Sequence, residues 1–334
     1  MGETRNRKVN YQPSGKPVRL SPKRYDVLDL LQDYRYLPQS YIGELLGYNY
    51  STHLIRGREI HRYDYLREML RRMRKDGGWL FCPETPLYRE ATYALTEGGE
   101  HALKKAGRYR GIEKTGEPYD DELGVCMIRA SFDIGVRKYG LEFISADSIL
   151  QHPNCPKETR DSDTPFEFPV TFDYTTPKTK KTYTITRNVK HDCNPFGIAR
   201  ATKTGRTSII IAGIELDLDT EGLHIEAYKK VSVAHHLLGI LAASRKGIYR
   251  DQLGIPNWFI PFICVGEQRM KAAMRTLDEL TDGKGARNII FQWIPDYTQD
   301  GGDFPLAGAG ALTQSYHRVG YEPFNFLEEL GIEK

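Results

Sequence analysis

Within residues 65–75 the apolar side chains Leu66, Met69, Leu70 and Met73 fall at i, i+3, i+4 and i+7, the stripe of an α-helix that buries one face. Arg67, Arg71 and Arg74 repeat that spacing on another face, with Arg72 and Lys75 beside them. A helix that packs one side on a core and offers guanidinium forks on the other suits a DNA major groove. Gly77 and Gly78 stop the helix, and the extended runs 79–81 and 89–95, separated by a turn-rich segment with Pro83 and Pro86, predict a hairpin. Thr96 then stands where an N-cap opens a closing helix.

The pattern upstream predicts two more helices. Ser21 followed by Pro22 reads as an N-cap with proline at the first helical position, and Tyr25, Leu28 and Leu31 continue as an apolar stripe. Residues 39–46 form a second, short helix closed by Gly47. Residues 48–62, with Tyr48, Tyr50, His53, Arg56, Arg58, His61 and Arg62, are longer than an ordinary helix-turn-helix turn. They read as an insertion that touches phosphates or as a surface loop. Helix, hairpin and helix in this order predict a winged helix-turn-helix over 17–110, behind a mobile polar tail over 1–16. The expected DNA contacts are Arg62 at the end of that insertion, Arg67, Arg71, Arg72, Arg74 and Lys75 on the recognition helix and Arg89 on the wing.

A Gly-rich, charged stretch predicts a linker over 111–122, and a second domain fills 123–334. Leu123 opens a helix carrying Val125, Ile128, Phe132 and Val136, and a short strand follows at 141–144. Pro, Asp and Thr dominate 151–180, which suggests excursions and hairpins. Strands are expected at 181–186, 196–201 and 208–218, the last nearly continuous and apolar with an acidic end. A helix over about 225–244, a strand at 258–265, a helix at 267–280 and a strand at 288–293 complete the pattern. Strand, helix, strand implies a βαβ crossover, hence a mixed sheet and an α+β or α/β class. Beyond 296, Tyr316, Tyr321, Phe324 and Phe326 point to packing on a core or a partner rather than a loose tail.

Charge sharpens the division. Residues 1–110 hold 21 Lys and Arg against 13 Asp and Glu, a net +8, whereas the remainder holds 26 against 31, a net −5. Such an asymmetry is expected when one domain meets a polyanion and the other does not. Five scattered cysteines argue for a reducing cytoplasm over a disulfide framework, and no apolar run approaches the roughly 18 residues of a membrane span.

Candidate chemistry lies at the end of the 208–218 strand, where alternation puts Glu215, Asp217 and Asp219 on one face. Three carboxylates there need metal, basic partners or water. They read either as an Mg²⁺ cluster of the kind that cuts phosphodiesters or as an acidic strand end exposed at a sheet edge. His152, Cys155, His191 and Cys193 form a composition zinc accepts, at irregular spacing for a structural site. His235 and His236, within an apolar helix, read as packing residues. No phosphate-binding loop of the P-loop type is present, which argues against an ATP-driven helicase or motor.

The winged helix with its Tyr93-Ala94-Leu95-Thr96-x-x-Gly99 wing end, the helix near 130, and Glu215-Leu-Asp217-Leu-Asp219-Thr220-Glu221 before a helix with Lys229 resemble the replication-relaxation family of plasmid and phage proteins. The resemblance runs over roughly 21–293. It implies a winged helix joined to a PD-(D/E)XK restriction-endonuclease-like domain and a role in replication or regulation on mobile DNA. A working site of that type needs an acid after proline on the preceding strand, then an acid and a lysine two apart. Here Phe196 follows Pro195, and Asp217 stands at the lysine position. Asp192 could supply the missing acid and Lys229 or Lys230 the charge, so the resemblance implies a nuclease-like fold with a degenerate site.

Three function classes follow. The first is a DNA-binding transcription regulator or replication-origin binder of a phage or plasmid-like element, expected to be a homodimer on double-stranded DNA, without cofactor or membrane partner. The second is a Mg²⁺-dependent endonuclease or nickase using Asp192, Glu215, Asp217 and Lys229. The third is a structural or assembly protein whose winged helix docks another protein. The arginine face favours the first, and the absent post-proline acid disfavours the second.

Overall fold

The computed structural model describes residues 19–48, 52–55, 58–83, 90–112, 118–175, 180–201, 207–224, 231–298 and 309–332. The chain divides into two compact units, Met1–Glu117 and Pro118–Lys334, each mixing helices and strands. The expected tail 1–16 lies outside the described residues, as do part of the expected linker (113–117) and the expected wing tip with Arg89 (84–89). Among the described residues no helix is long and apolar enough to cross a membrane, and the five cysteines form no disulfide.

The smaller unit runs α1 (Pro22–Tyr34), β1 (Leu37–Pro38), α2 (Gln39–Leu45), β2 (Thr52–Ile55), β3 (Arg58–His61), α3 (Arg62–Lys75), β4 (Leu80–Phe81), β5 (Thr92–Leu95) and α4 (Glu97–Lys105). Leu28 and Leu31 of α1, Ile42 of α2 and Leu66, Leu70 and Met73 of α3 are fully buried, so the periodicity read in sequence is the core of this unit. β5 is the middle strand of a three-stranded sheet, antiparallel to β1 and to β4. Residues 48–62, expected as an insertion, contain a second hairpin rather than a surface loop: β2 pairs antiparallel with β3, from Thr52 opposite His61 to Ile55 opposite Arg58.

Capping follows the sequence at one helix and departs from it at another. Ser21 stands at the N-cap of α1 but its hydroxyl makes no cap; its carbonyl accepts from the amides of Arg24 and Tyr25 while Pro22 presets the first turn. Thr96 does cap α4, its hydroxyl accepting from the Gly99 amide at 3.1 Å and donating to the Gly78 carbonyl at 2.6 Å. The one hydroxyl therefore joins the end of α3, the hairpin and α4. Thr96→Ala is expected to destabilise the smaller unit by about 1 kcal/mol, measured as a lower urea midpoint at unchanged slope.

The larger unit opens with α5 (Tyr119–Lys138), which begins four residues before the expected Leu123. Asp120, Asp121 and Glu122, read as linker charge, lie in its first turn, where carboxylates meet the positive end of the helix dipole. Then follow β6 (Glu142–Ile144), α6 (Ala146–Leu150), α7 (Lys157–Arg160), β7 (Phe168–Thr175), β8 (Thr182–Val189), β9 (Phe196–Ala201), β10 (Thr207–Ala212) and β11 (Glu215–Asp217). The chain continues through α8 (Val233–Arg245), α9 (Ile248–Leu253), β12 (Trp258–Val265), α10 (Glu267–Leu280), β13 (Ile289–Ile294), α11 (Gly310–Thr313) and α12 (Phe326–Glu329). Residues 225–230, expected to open the α8 helix, lie outside the described residues.

The sheet is mixed. β9 lies antiparallel between β6 and β10, and β12 pairs in parallel with β10, β11 and β13. The strand expected to run unbroken over 208–218 is interrupted at Gly213. A Cβ there would come within 2.6 Å of the His191 ring, so the imidazole occupies the space a side chain would need. β12 is buried on both sides. Trp258, Ile260, Phe262 and Cys264 share a core with α8 and α10, while Phe259 stacks on Phe324, which meets Phe326 edge-on. The segment 151–180 holds the regular strand β7, whose residues alternate buried and exposed and pair along their length with β8.

Candidate functional site

α3 of the smaller unit carries two opposed stripes. Leu66, Met69, Leu70 and Met73 are buried, and four residues at the same i, i+3, i+4, i+7 spacing, Glu68, Arg71, Arg72 and Lys75, face solvent. Arg67, Arg71 and Arg74, spaced i, i+4 and i+7, share one side of the helix but differ in exposure. Arg67, with 67 % of its side chain exposed, flanks the solvent stripe and pairs with Asp64 at 3.2 Å, whereas Arg74 is half-buried beside the core stripe. Arg71 and Arg72 both bind Glu68: Arg71 donates to it at 2.6 and 2.8 Å and Arg72 at 2.8 Å. Those hydrogen bonds, from Arg71 first and Arg72 second, hold the Glu68 carboxyl down at about 2. Arg62 opens α3.

A second cluster of aromatic and basic groups lies beside the first turn of α3. Tyr48 stacks on Tyr65 at 6.0 Å, and the Lys23 ammonium stands 5.9 and 5.5 Å from the two ring centres. Tyr65 is exposed, so the cluster is open to solvent.

In the larger unit the acidic strand end is neither an exposed edge nor an open metal cluster. Glu215 is 3 % exposed and Asp217 7 %. Their register with Phe262 and Cys264 of β12 places them on the α8 and α10 face of the sheet, and each helix supplies a cation. His191, from the connection between β8 and β9, meets one Glu215 oxygen through Nδ1 at 2.6 Å, and His236 of α8 meets the other at 3.2 Å. His236 also reaches Glu221 through Nε2 at 3.5 Å. Arg269 of α10 donates to both Asp217 oxygens at 2.6 and 3.0 Å, to Asp219 at 2.8 Å and to the Glu221 carbonyl at 2.7 Å.

The electrostatics follow from that pairing. Burial pushes the Glu215 carboxyl up, but hydrogen bonds from His191 and His236 outweigh it and hold the group at about 2. Burial likewise pulls His236 down, and its bonds to Glu215 and Glu221 raise it to about 10. The dominant state at neutral pH is therefore a carboxylate against an imidazolium. Buried charges are tolerated only in such pairs.

Asp192, the substitute acid, accepts from the Leu216 amide at 2.6 Å and so fastens the chain after β8 onto β11. Asp219 lies past the strand in a left-handed conformation (φ 62°), its amide donating to Asp217 at 3.0 Å. Lys229 and Lys230 lie outside the described residues. The zinc candidates have other roles: His191 serves Glu215, the His152 ring accepts from the Asn154 amide, and Cys155 is buried in the core. Among the described residues no group of three or more His, Cys, Asp or Glu is placed to hold a metal ion.

His236 and Arg269 are the partners sequence reasoning missed. The available signal was the one that raised the question: two acids on a strand face predict two cations on the elements that cover it. No protein-family description, curated protein or solved structure matches the chain.

Proposed function

We propose that this chain is a double-stranded-DNA-binding protein that reads DNA with α3, and that its smaller unit is a winged helix-turn-helix. The observation that carries the reading is the exposed stripe with Arg71, Arg72 and Lys75 opposite a fully buried apolar stripe on one helix. The order around α3 supports it: helices α1 and α2 precede, the β4–β5 hairpin follows as the wing, and α4 closes the unit. The net +8 of residues 1–110 supplies the phosphate attraction. Regulation of transcription or binding of a replication origin on a phage or plasmid-like element fits this reading, as the resemblance to the replication-relaxation family implies. A homodimer holding two α3 helices about 34 Å apart would read a pseudo-palindrome in successive major grooves.

The nuclease reading has no comparable support. Each Glu215 oxygen serves a histidine and each Asp217 oxygen serves Arg269, so neither acid offers an open oxygen pair to Mg²⁺. The larger unit is then a nuclease-like scaffold in which the acids are structural.

The test is binding and cleavage in one experiment: the full chain with labelled duplexes from its own genetic neighbourhood, at two salt concentrations, with Mg²⁺ or EDTA. A salt-sensitive shift of intact DNA is expected. Arg71→Ala is expected to weaken binding by about 1–3 kcal/mol if it reads a base, and by less if it meets only phosphate. Unchanged affinity when Arg67, Arg71, Arg72, Arg74 and Lys75 are all replaced removes α3 from the interface. Mg²⁺-dependent cuts lost on Glu215→Ala would make the chain a nuclease instead.

A further inference from the structure

The solvent stripe of α3 is not uniformly basic, because Glu68 occupies its first position and binds the next two. On a helix that faces DNA a carboxylate is costly. It repels phosphate and weakens attraction to duplexes of every sequence. The groups in the major groove that reward it are exocyclic amines, chiefly cytosine N4, whereas guanidinium forks match the O6 and N7 acceptors of guanine. An acceptor followed by two forks one helical turn on is complementary to G·C pairs, which present guanine acceptors on one strand and the cytosine donor on the other.

The geometry adds a second role. Glu68 fixes the Nε edges of Arg71 and Arg72 at 2.6 and 2.8 Å, which turns two flexible side chains into a set pair before any partner arrives. Fewer side-chain rotations are then lost on binding. A cytosine amine meeting Glu68 would share the carboxylate with one arginine and release the other toward the neighbouring guanine.

Resting on the DNA-binding reading above, we propose that Glu68 is a specificity-determining residue that selects cytosine within a G·C-containing half-site and rejects unselected DNA. A helix-stabilising ion pair serves any exposed helix equally well and confers no base preference, so base preference separates the two roles.

The experiment is selection by the full chain from a pool of duplexes with a randomised segment, in parallel with Glu68→Gln and Glu68→Ala. The wild-type chain is expected to enrich a motif with at least one invariant C·G pair, discriminated from other pairs by about 5- to 100-fold. In Glu68→Gln that preference falls toward unity at one position while the others persist, and binding to the unselected pool becomes tighter. The same motif from the wild type and both variants, with no gain in pool binding, overturns the proposal and leaves Glu68 as a helix ion pair. No DNA retained by the wild-type chain overturns the underlying reading and this proposal with it. Helical circular dichroism of the two variants, expected to match the wild type, separates lost recognition from a lost helix.

Discussion

Glu215→Ala is expected to destabilise the larger unit by about 3–5 kcal/mol, because it removes one partner of a buried ionic cluster and leaves the others in place. The Glu215 side chain is almost wholly buried and both its oxygens are engaged, so its loss deprives the fully buried His191 Nδ1 and the charged His236 ring of their acceptor. Glu215→Gln keeps the volume but offers one acceptor and one donor where two acceptors stood. Its expected cost is smaller and still above about 1 kcal/mol. The measurement is urea unfolding followed by tryptophan fluorescence, since Trp258 and Trp293 report on the larger unit and Trp79 on the smaller. A Glu215→Ala midpoint within about 0.5 kcal/mol of wild type would contradict the paired geometry.

The same cluster fixes how stability depends on pH. Glu215 has its carboxyl lowered from 4.5 to about 2, so its contribution is complete above 4.5 and is lost as pH falls toward 2. His236 is raised from 6.5 to about 10, so its contribution is complete below 6.5 and is lost as pH rises through 10. Both contributions hold fully between 4.5 and 6.5. The His236 side chain keeps 24 % of its surface exposed, and solvent weakens its interactions, so the alkaline limb is the shallower of the two. In Glu215→Ala both limbs attributable to the cluster flatten.

What was legible in the sequence divides along the range of the interactions involved. The α3 stripe, the Thr96 cap and the strands over Phe196–Ala201 and Trp258–Val265 are set by neighbours a few residues away, and they stand where local patterning predicts. β7 was hidden although Phe168, Val170, Phe172 and Tyr174 alternate, because the proline- and threonine-rich stretch around it carries the chemistry of turns. The acidic face was also legible as a question. That Glu215 and Asp217 share a face follows from strand period, and that they need cations follows from desolvation. The answer was not local: His236 and Arg269 meet them only because α8 and α10 cover the same side of the sheet. Sequence proximity pointed to Lys229 instead, and spacing in a linear string carries no information about which helix covers which strand.

Phe326→Ala is expected to cost the larger unit about 3–5 kcal/mol, the range for deleting a buried aromatic side chain. Phe326 is fully buried at the meeting point of four rings, with centroids 5.1 Å from Phe132 of α5, 4.9 Å from Phe324, 5.5 Å from Tyr316 and 6.4 Å from Phe259 of β12. Asn325 holds it there, capping α12 through the Leu327 and Glu328 amides and donating to the carbonyls of Thr313 and Gln314. The aromatic residues beyond 296 thus pack on the unit's own sheet and first helix. Tyr321 is the departure: it is 46 % exposed, and Tyr321→Ala is expected to change stability by less than about 0.5 kcal/mol. The contrast between the two variants, read as urea midpoints at constant slope, distinguishes a C-terminal segment built into the core from one lying against it. A Phe326→Ala shift as small as that of Tyr321→Ala would mean that α5 and β12 close their core without it, in which case removal of residues 309–334 should leave a cooperative transition. The packing of Phe132 and Phe259 against Phe326 requires the opposite: truncation exposes both rings, and cooperative unfolding of the larger unit is lost.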